Sequence, residues 1–238
     1  MTEQLQWLSR TRLVDEVVQV LRERIYSGRY LPGEALRQVQ IAQELKVSRT
    51  PLREALRMLE REGIVKADLP GGVSVVQADF RRLIDAYELR EVVDGLAARL
   101  AAARSAAQAE IRLLPIVERQ RSALSSWEPS IYTKANVEFH AAIIAMADNE
   151  FLTNQMPIVR MTSQIFTPVA LMAVDRVEQA IGEHMRLIKA IQRGDASAAE
   201  RLSRQHIQNT IQRLKKGVGA AAVADASKQR KSAREIGT

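Results

Sequence analysis

The sequence predicts a mainly α-helical protein: an N-terminal winged helix-turn-helix followed by an all-helical antiparallel bundle. Three observations predict it. Apolar residues recur at three- and four-residue steps through most of the chain. Aromatic residues are only 4% against 46% hydrophobic, and Ala, Leu, Ile and Val dominate, a composition suited to helices packed on helices. Two short β-branched runs flank one Pro-Gly-Gly turn at Pro70, and no further strand pattern follows.

The bulk properties set limits. A chain of 238 residues is long enough for two small domains. A formal net charge of +7 and a pI near 10.0 permit a polyanionic partner without proving one. The absence of cysteine excludes disulfides, thiolate metal sites and cysteine nucleophiles. No run approaches the roughly 20 apolar residues of a membrane span, and the first ten residues lack the apolar stretch of a signal peptide. A soluble, cytoplasmic protein with no membrane association is expected.

Residues 1–11 are expected to be a flexible arm, and residues 12–78 the winged domain. Leu13, Val17, Leu21 and Ile25 mark its first helix, which ends near Gly28. SGRYLPGEAL, with two glycines and Pro32, is a turn-rich connection. A second helix is expected from Gln38 to Leu45. Only Lys46 and Val47 separate it from the decisive stretch, SRTPLREALRMLEREG, residues 48–63. There Leu52, Ala55, Leu56 and Leu59 form an apolar stripe, and Arg49, Arg53, Arg57 and Arg61 lie off it at steps of four. Ser48 or Thr50 can cap this helix, Pro51 is tolerated in its first turn, and Gly63 stops it. On its own this could be an ordinary solvated amphipathic helix. Placed after a short helix and a tight turn, it is the second helix of a helix-turn-helix, the one that enters a DNA major groove. Ile64-Val65 and Val73–Val76 around the turn then form the wing.

These residues resemble the DNA-binding domain of the GntR family of transcription regulators. The resemblance rests on SGRYLPGEAL, IAQELKVSRTPLREALRMLEREGIV and GGVSVV. It implies contacts to double-stranded operator DNA from Ser48, Arg49, Thr50 and Arg53, with Gly71 and Gly72 in the wing tip. Some relatives carry an arginine where this chain has Val39; Arg37 is close enough to substitute.

Residues 79–216 read as helices throughout. Asp79 can cap the first, which runs to about Arg104. A second spans about Ala107–Leu124, with Pro115 as a potential kink. A third covers Ile131–Ala147. The stretch from Phe151 to Met172 is interrupted by Pro157 and Pro168. Another helix runs Val174–Gln192, and Asp195 caps the last, expected to end near Lys216. Residues 217–238 are expected to be a disordered basic tail.

The chain's three histidines, His140, His184 and His206, fall on three different helices of this bundle. Asn136 lies one turn before His140, on the same face. Each histidine can be an ordinary half-buried residue, or the three together can hold a zinc-like ion. ANVEFHAAI, EHMRLIKAIQRGDASAAE, RQHI and YELREVVDGLAARLAA resemble the FCD effector-binding domain of the FadR-like GntR branch. That resemblance implies metal ligation by Asn136, His140, His184 and His206, with zinc foremost and nickel or manganese as alternatives. It further implies a small organic acid as effector, engaged by Arg90 and those same four residues, with Asn209 lining the pocket. Arg90 can equally form a surface ion pair with Asp94 at i+4. The implied protein is a homodimeric repressor on a palindromic operator, not an enzyme, with signal transmission through the helix that follows Gln77-Ala78. Two other readings stand beside it: a purely structural metal in a regulator, and a metal-dependent hydrolase. No HExxH helix exists, and helical geometry should point Glu138 and Glu183 away from the histidines.

Overall fold

The structure is a computed structural model. It describes residues 2–68, 71–77, 80–166 and 174–235, with side chains described over 12–68, 71–77, 80–164 and 174–216. The chain forms two compact units.

The first unit comprises residues 1–83 together with 156–168. Its helices are α1 (Thr2–Tyr26), α2 (Gln38–Leu45) and α3 (Arg49–Arg61). Helix α1 starts at Thr2, so residues expected as a flexible arm continue the helix. The apolar stripe of α3 does what its spacing requires: Leu52, Ala55 and Leu59 are fully buried against α1 and α2. At the N-terminus of α3, Ser48 occupies the cap position but its side chain makes no cap bond, contrary to expectation. At the other end Gly63 adopts φ +72°, and Ile64 N–H donates to the Leu59 carbonyl at 3.0 Å, which closes the helix as a left-handed glycine stop does. Arg22 grips both carboxylate oxygens of Glu62, at 3.2 and 2.6 Å, and ties α1 to that end.

The wing is antiparallel: β1 (Val65–Asp68) pairs with β2 (Gly72–Val75), Val65 opposite Val75 and Asp68 opposite Gly72. The SGRYLPGEAL connection adds to it. Gly33 N–H donates to the Val75 carbonyl, Val75 N–H to Glu34 and Leu36 N–H to Val73. The wing is thus anchored on the side facing α2. Residues 156–168 also cluster with this unit, where Arg160 lies over the Tyr26 ring of α1 at 5.8 Å from its centroid.

The second unit holds residues 84–155 and 169–238. The elements from residue 80 onward are α4 (Phe80–Ser105), a single 3-10 turn (Ala106–Gln108), α5 (Ala109–Ser125), α6 (Pro129–Met146), α7 (Glu150–Thr153), α8 (Met156–Arg160), a π-helical turn (Met161–Phe166), α9 (Val174–Gln192) and α10 (Ala196–Glu235). Pro115 is accommodated inside α5, and Pro157 sits in the first turn of α8, where a missing N–H is tolerated. Pro168 and the capping role given to Asp79 lie outside the described residues. Asp195 accepts from Ala198 N–H at 2.9 Å and caps α10 as expected. Helix α10 passes the end expected at Lys216 and continues through the expected disordered tail to Glu235. Helix α5 packs on α6 and α9, and α9 on α10. Gln192, at the end of α9, donates to Glu110, at the start of α5, so α9 runs antiparallel to α5. Among the described residues no helix is long and apolar enough to cross a membrane.

Candidate DNA-reading surface and metal centre

With its stripe buried, α3 has one face left. Arg49, Thr50, Arg53 and Arg57 are exposed on it, and Ser48 stands exposed at its N-terminus. Among the described residues Arg49 and Arg53 have no hydrogen-bond or ion-pair partner, so both guanidinium groups are available to phosphates and base edges. Arg37 is exposed at the N-terminus of α2, and Val39 is 55% exposed beside it. At the wing tip Gly71 has φ +84°, a conformation that favours glycine, with open space where a Cβ would stand. A basic recognition helix beside a wing defines a DNA-binding protein of the winged helix-turn-helix class.

The second unit brings the three histidines together. Each offers a ring nitrogen, and these nitrogens lie within 4.8 Å of one another. All three are buried: His140 is 3% exposed, His184 0% and His206 7%. The His184 and His206 rings are 4.7 Å apart, and Phe139 stacks on His184 at 4.1 Å.

Every histidine has its Nδ1 held by an acceptor. His140 Nδ1 is 3.0 Å from Asp94 Oδ2, His184 Nδ1 is 2.8 Å from Gln120 Oε1, and His206 Nδ1 is 2.6 Å from Glu183 Oε2. Gln120 has no freedom to present its amide nitrogen instead, because that nitrogen donates to the Ala135 carbonyl at 3.2 Å. Asp94 is ionised: burial alone would raise its pKa, but Arg90 and His140 outweigh it and hold it at about 2. Glu183 is likewise lowered against its own burial, by hydrogen bonds from His206 and Asn209 and by Arg213. Three acceptors at Nδ1 place an N–H on that atom of each ring, which makes Nε2 the lone-pair atom of a neutral ring. The Nε2 atoms of His140 and His184 are buried without a hydrogen-bond partner. Burial, assisted by Arg90, brings the His140 pKa down to about 4, and burial lowers that of His184 well below the ordinary histidine value. Both rings are therefore neutral at pH 7. Orphaned, converging, neutral imidazole lone pairs with carboxylate or amide partners behind them fit a divalent transition metal.

The remaining expected residues fall differently. Asn136 is half-buried one turn before His140 and makes no hydrogen bond among the described residues. Arg90 does pair with Asp94, at 3.1 Å, but at 1% exposure this is an interior bond and not a surface one. Asn209 donates to Glu183 Oε1 at 2.8 Å and so touches the centre through that carboxylate. The orientation expected for Glu183 is overturned, whereas Glu138 does face outward, to Arg119. Helix α9 lies between α5 and α10 and has two interior faces: His184 looks to α5 and Glu183 to α10. Gln120 belongs to no sequence motif; its one signal is that it interrupts the buried stripe Leu113, Ile116, Val117 and Ala123. Asp94 entered only as a partner for Arg90.

Comparison with known proteins finds a family match for each half of the chain. Residues 13–75 match the family described as bacterial regulatory proteins, gntR family, and residues 85–209 match the FCD domain. An uncharacterized HTH-type transcriptional regulator, YdhC, of Bacillus subtilis (strain 168) is 26% identical over 197 residues, 82% of this chain and 88% of the relative. A probable D-xylose utilization operon transcriptional repressor of Paenarthrobacter nicotinovorans is 26% identical over 201 residues, 84% and 88% respectively. The solved structure of E. coli McbR/YncC superposes with a TM-score of 0.75 at 21% identity, covering 87% of this chain and 98% of that one, which speaks to fold. The chain belongs to the GntR family of bacterial transcription regulators, in the group with a C-terminal FCD domain. It is a DNA-binding transcription regulator and not an enzyme.

Proposed function

We propose that this regulator is a cytoplasmic, homodimeric repressor whose affinity for a palindromic operator is set by a small organic acid bound at or beside a divalent metal. The observation that carries this reading is the convergence of one ring nitrogen each from His140, His184 and His206 within 4.8 Å, each ring fixed from behind by Asp94, Gln120 or Glu183. Zinc suits three neutral imidazoles best, with nickel and manganese as alternatives. Asn136 is the candidate fourth ligand. Once bound, the ion supplies a positive centre with open positions for a carboxylate. Arg90 and Asn209 support the site through Asp94 and Glu183, and Arg90 lends its charge to the acid. On the DNA side, Ser48, Arg49, Thr50 and Arg53 read the major groove, while Arg37, Gly71 and Gly72 contact the backbone. Two-fold symmetry of the dimer sets the symmetry of the operator.

The test is operator binding by fluorescence anisotropy, with metal-loaded and chelated protein and a panel of carboxylic and sugar acids. An acid that shifts operator affinity only when metal is present supports the proposal. Burial of the centre favours one competing reading, a structural metal. In that case chelation lowers the melting temperature while no acid changes operator binding. Effector control requires differential affinity of the acid for two states of the dimer.

A further inference from the structure

Beyond the histidines, the bundle carries a second polar layer. The turn at residues 193–195 joins α9 to α10, so positions about equally far from it on either side lie side by side. His184 faces His206 in this way, and Arg176 faces Arg213. On α9, Arg176 precedes Glu183 and His184 by two helical turns; on α10, Arg213 follows His206 by two. The other helices repeat the interval. Tyr132 precedes His140 on α6, and Tyr87 precedes Asp94 on α4, each by two turns. At 1.5 Å rise per residue the layers are ~10 Å apart, less the reach of the arginine side chains.

The contacts agree with this placement. Arg213 Nη2 is 3.7 Å from Glu183 Oε1, whose other oxygen meets His206. Arg90 lies over the Tyr87 ring at 5.7 Å. Tyr87, Tyr132, Arg213 and Asp175 all lie within electrostatic reach of Arg176. Arg176 is itself half-buried, and among the described residues it has no hydrogen-bond or ion-pair partner. Its pKa is lowered, first by burial. Tyr132 is buried with its pKa raised by desolvation, so its phenol stays protonated. Asp175 is the carboxylate whose charge acts on Arg176, without a bond to it; a partly desolvated guanidinium with no bonded partner, beside a second arginine, is a site for an anion. Charge balance points the same way. Arg90, Arg176 and Arg213 balance Asp94, Glu183 and Asp175, and a divalent ion adds two positive charges. A dianion neutralises that excess, whereas a monoanion leaves half of it.

We infer that Arg176 and Arg213 form a second anion-binding pole, and that the effector is a small diacid spanning from the histidine centre to these arginines. This rests on the acid-effector reading above. The guanidinium fork matches a carboxylate, so the far group is assigned as one. A few carbon atoms separate the two ends.

The test is calorimetry on the full-length, zinc-loaded protein with matched pairs: glutarate and pentanoate, adipate and hexanoate, galactarate and galactonate. In at least one pair the diacid should bind tenfold more tightly or better. Arg176→Met should bring the diacid to the affinity of its mono-acid partner, leaving mono-acid affinity and zinc content unchanged. Without ligand, Arg176→Met should melt at or above the wild-type temperature, because it removes an unpaired, partly buried cation. Equal affinities within every pair, or diacid binding indifferent to Arg176→Met, would overturn the second pole and leave an acid effector standing. Failure of every acid, of either kind, to bind would remove the effector reading and this inference with it.

Discussion

Asp94→Asn is the sharpest probe of the buried centre. Both Arg90 Nε, at 3.1 Å, and His140 Nδ1, at 3.0 Å, bond to the same oxygen, Oδ2. The other oxygen, Oδ1, is buried without a hydrogen-bond partner. An asparagine can place its single carbonyl oxygen at the Oδ2 position, keep both bonds and put its NH2 where Oδ1 was. The substitution therefore removes charge and little else. The fall of the Asp94 pKa from 3.8 to about 2 corresponds to about 2.5 kcal/mol of stabilisation of the carboxylate at pH 7. Removing one partner of a buried pair generally costs roughly 3–5 kcal/mol. We expect the chelated variant to lose about 3 kcal/mol in urea unfolding at pH 7. The pKa is depressed, so the carboxylate's contribution is present above 3.8 and lost as pH falls toward 2; the gap between wild type and variant should close over that window. Zinc affinity, measured by competition with a chromophoric chelator, should fall roughly 10- to 100-fold through the weakened His140 ligand. A loss under about 1 kcal/mol with unchanged zinc affinity would refute the coupling of Arg90, Asp94 and His140.

Three further outcomes are expected. The metal-free protein should lose stability as pH falls from about 6.5 toward 4, because an unfolded chain protonates histidines that the fold keeps neutral; thermal melts across that range check it, and a flat profile would contradict the assigned tautomers. Gln120→Leu should weaken zinc binding about tenfold by taking the acceptor from His184 Nδ1, and unchanged affinity would show that another group orients the ring. Arg53→Ala should weaken operator binding by roughly 1–3 kcal/mol and relax specificity at one base pair if the contact is bidentate, whereas a uniform loss across sequences with a shallower salt dependence would make it a phosphate contact.

The sequence alone determined the DNA-reading half. Leu52, Ala55, Leu56 and Leu59 leave α3 only one way to bury its stripe, and that orientation exposes Arg49 and Arg53. The wing was legible as a hairpin from two β-branched runs around Pro70-Gly71-Gly72, but its strands, Val65–Asp68 and Gly72–Val75, are displaced from the expected Ile64-Val65 and Val73–Val76, and the register came from the structure. These are local facts, fixed by periodicity and turn chemistry within a few residues. The three histidines were also visible as residue types on three helices. What holds them was not, because it depends on which helices become neighbours. Asp94 on α4 reaches His140 on α6, Gln120 on α5 reaches His184 on α9, and Glu183 on α9 reaches His206 on α10. Helical geometry taken one helix at a time turns Glu183 away from its neighbour His184. Only the packing of α9 between two partners makes both faces interior. Tautomer, charge state and the direction of each lone pair follow from those crossings, so tertiary structure decided them.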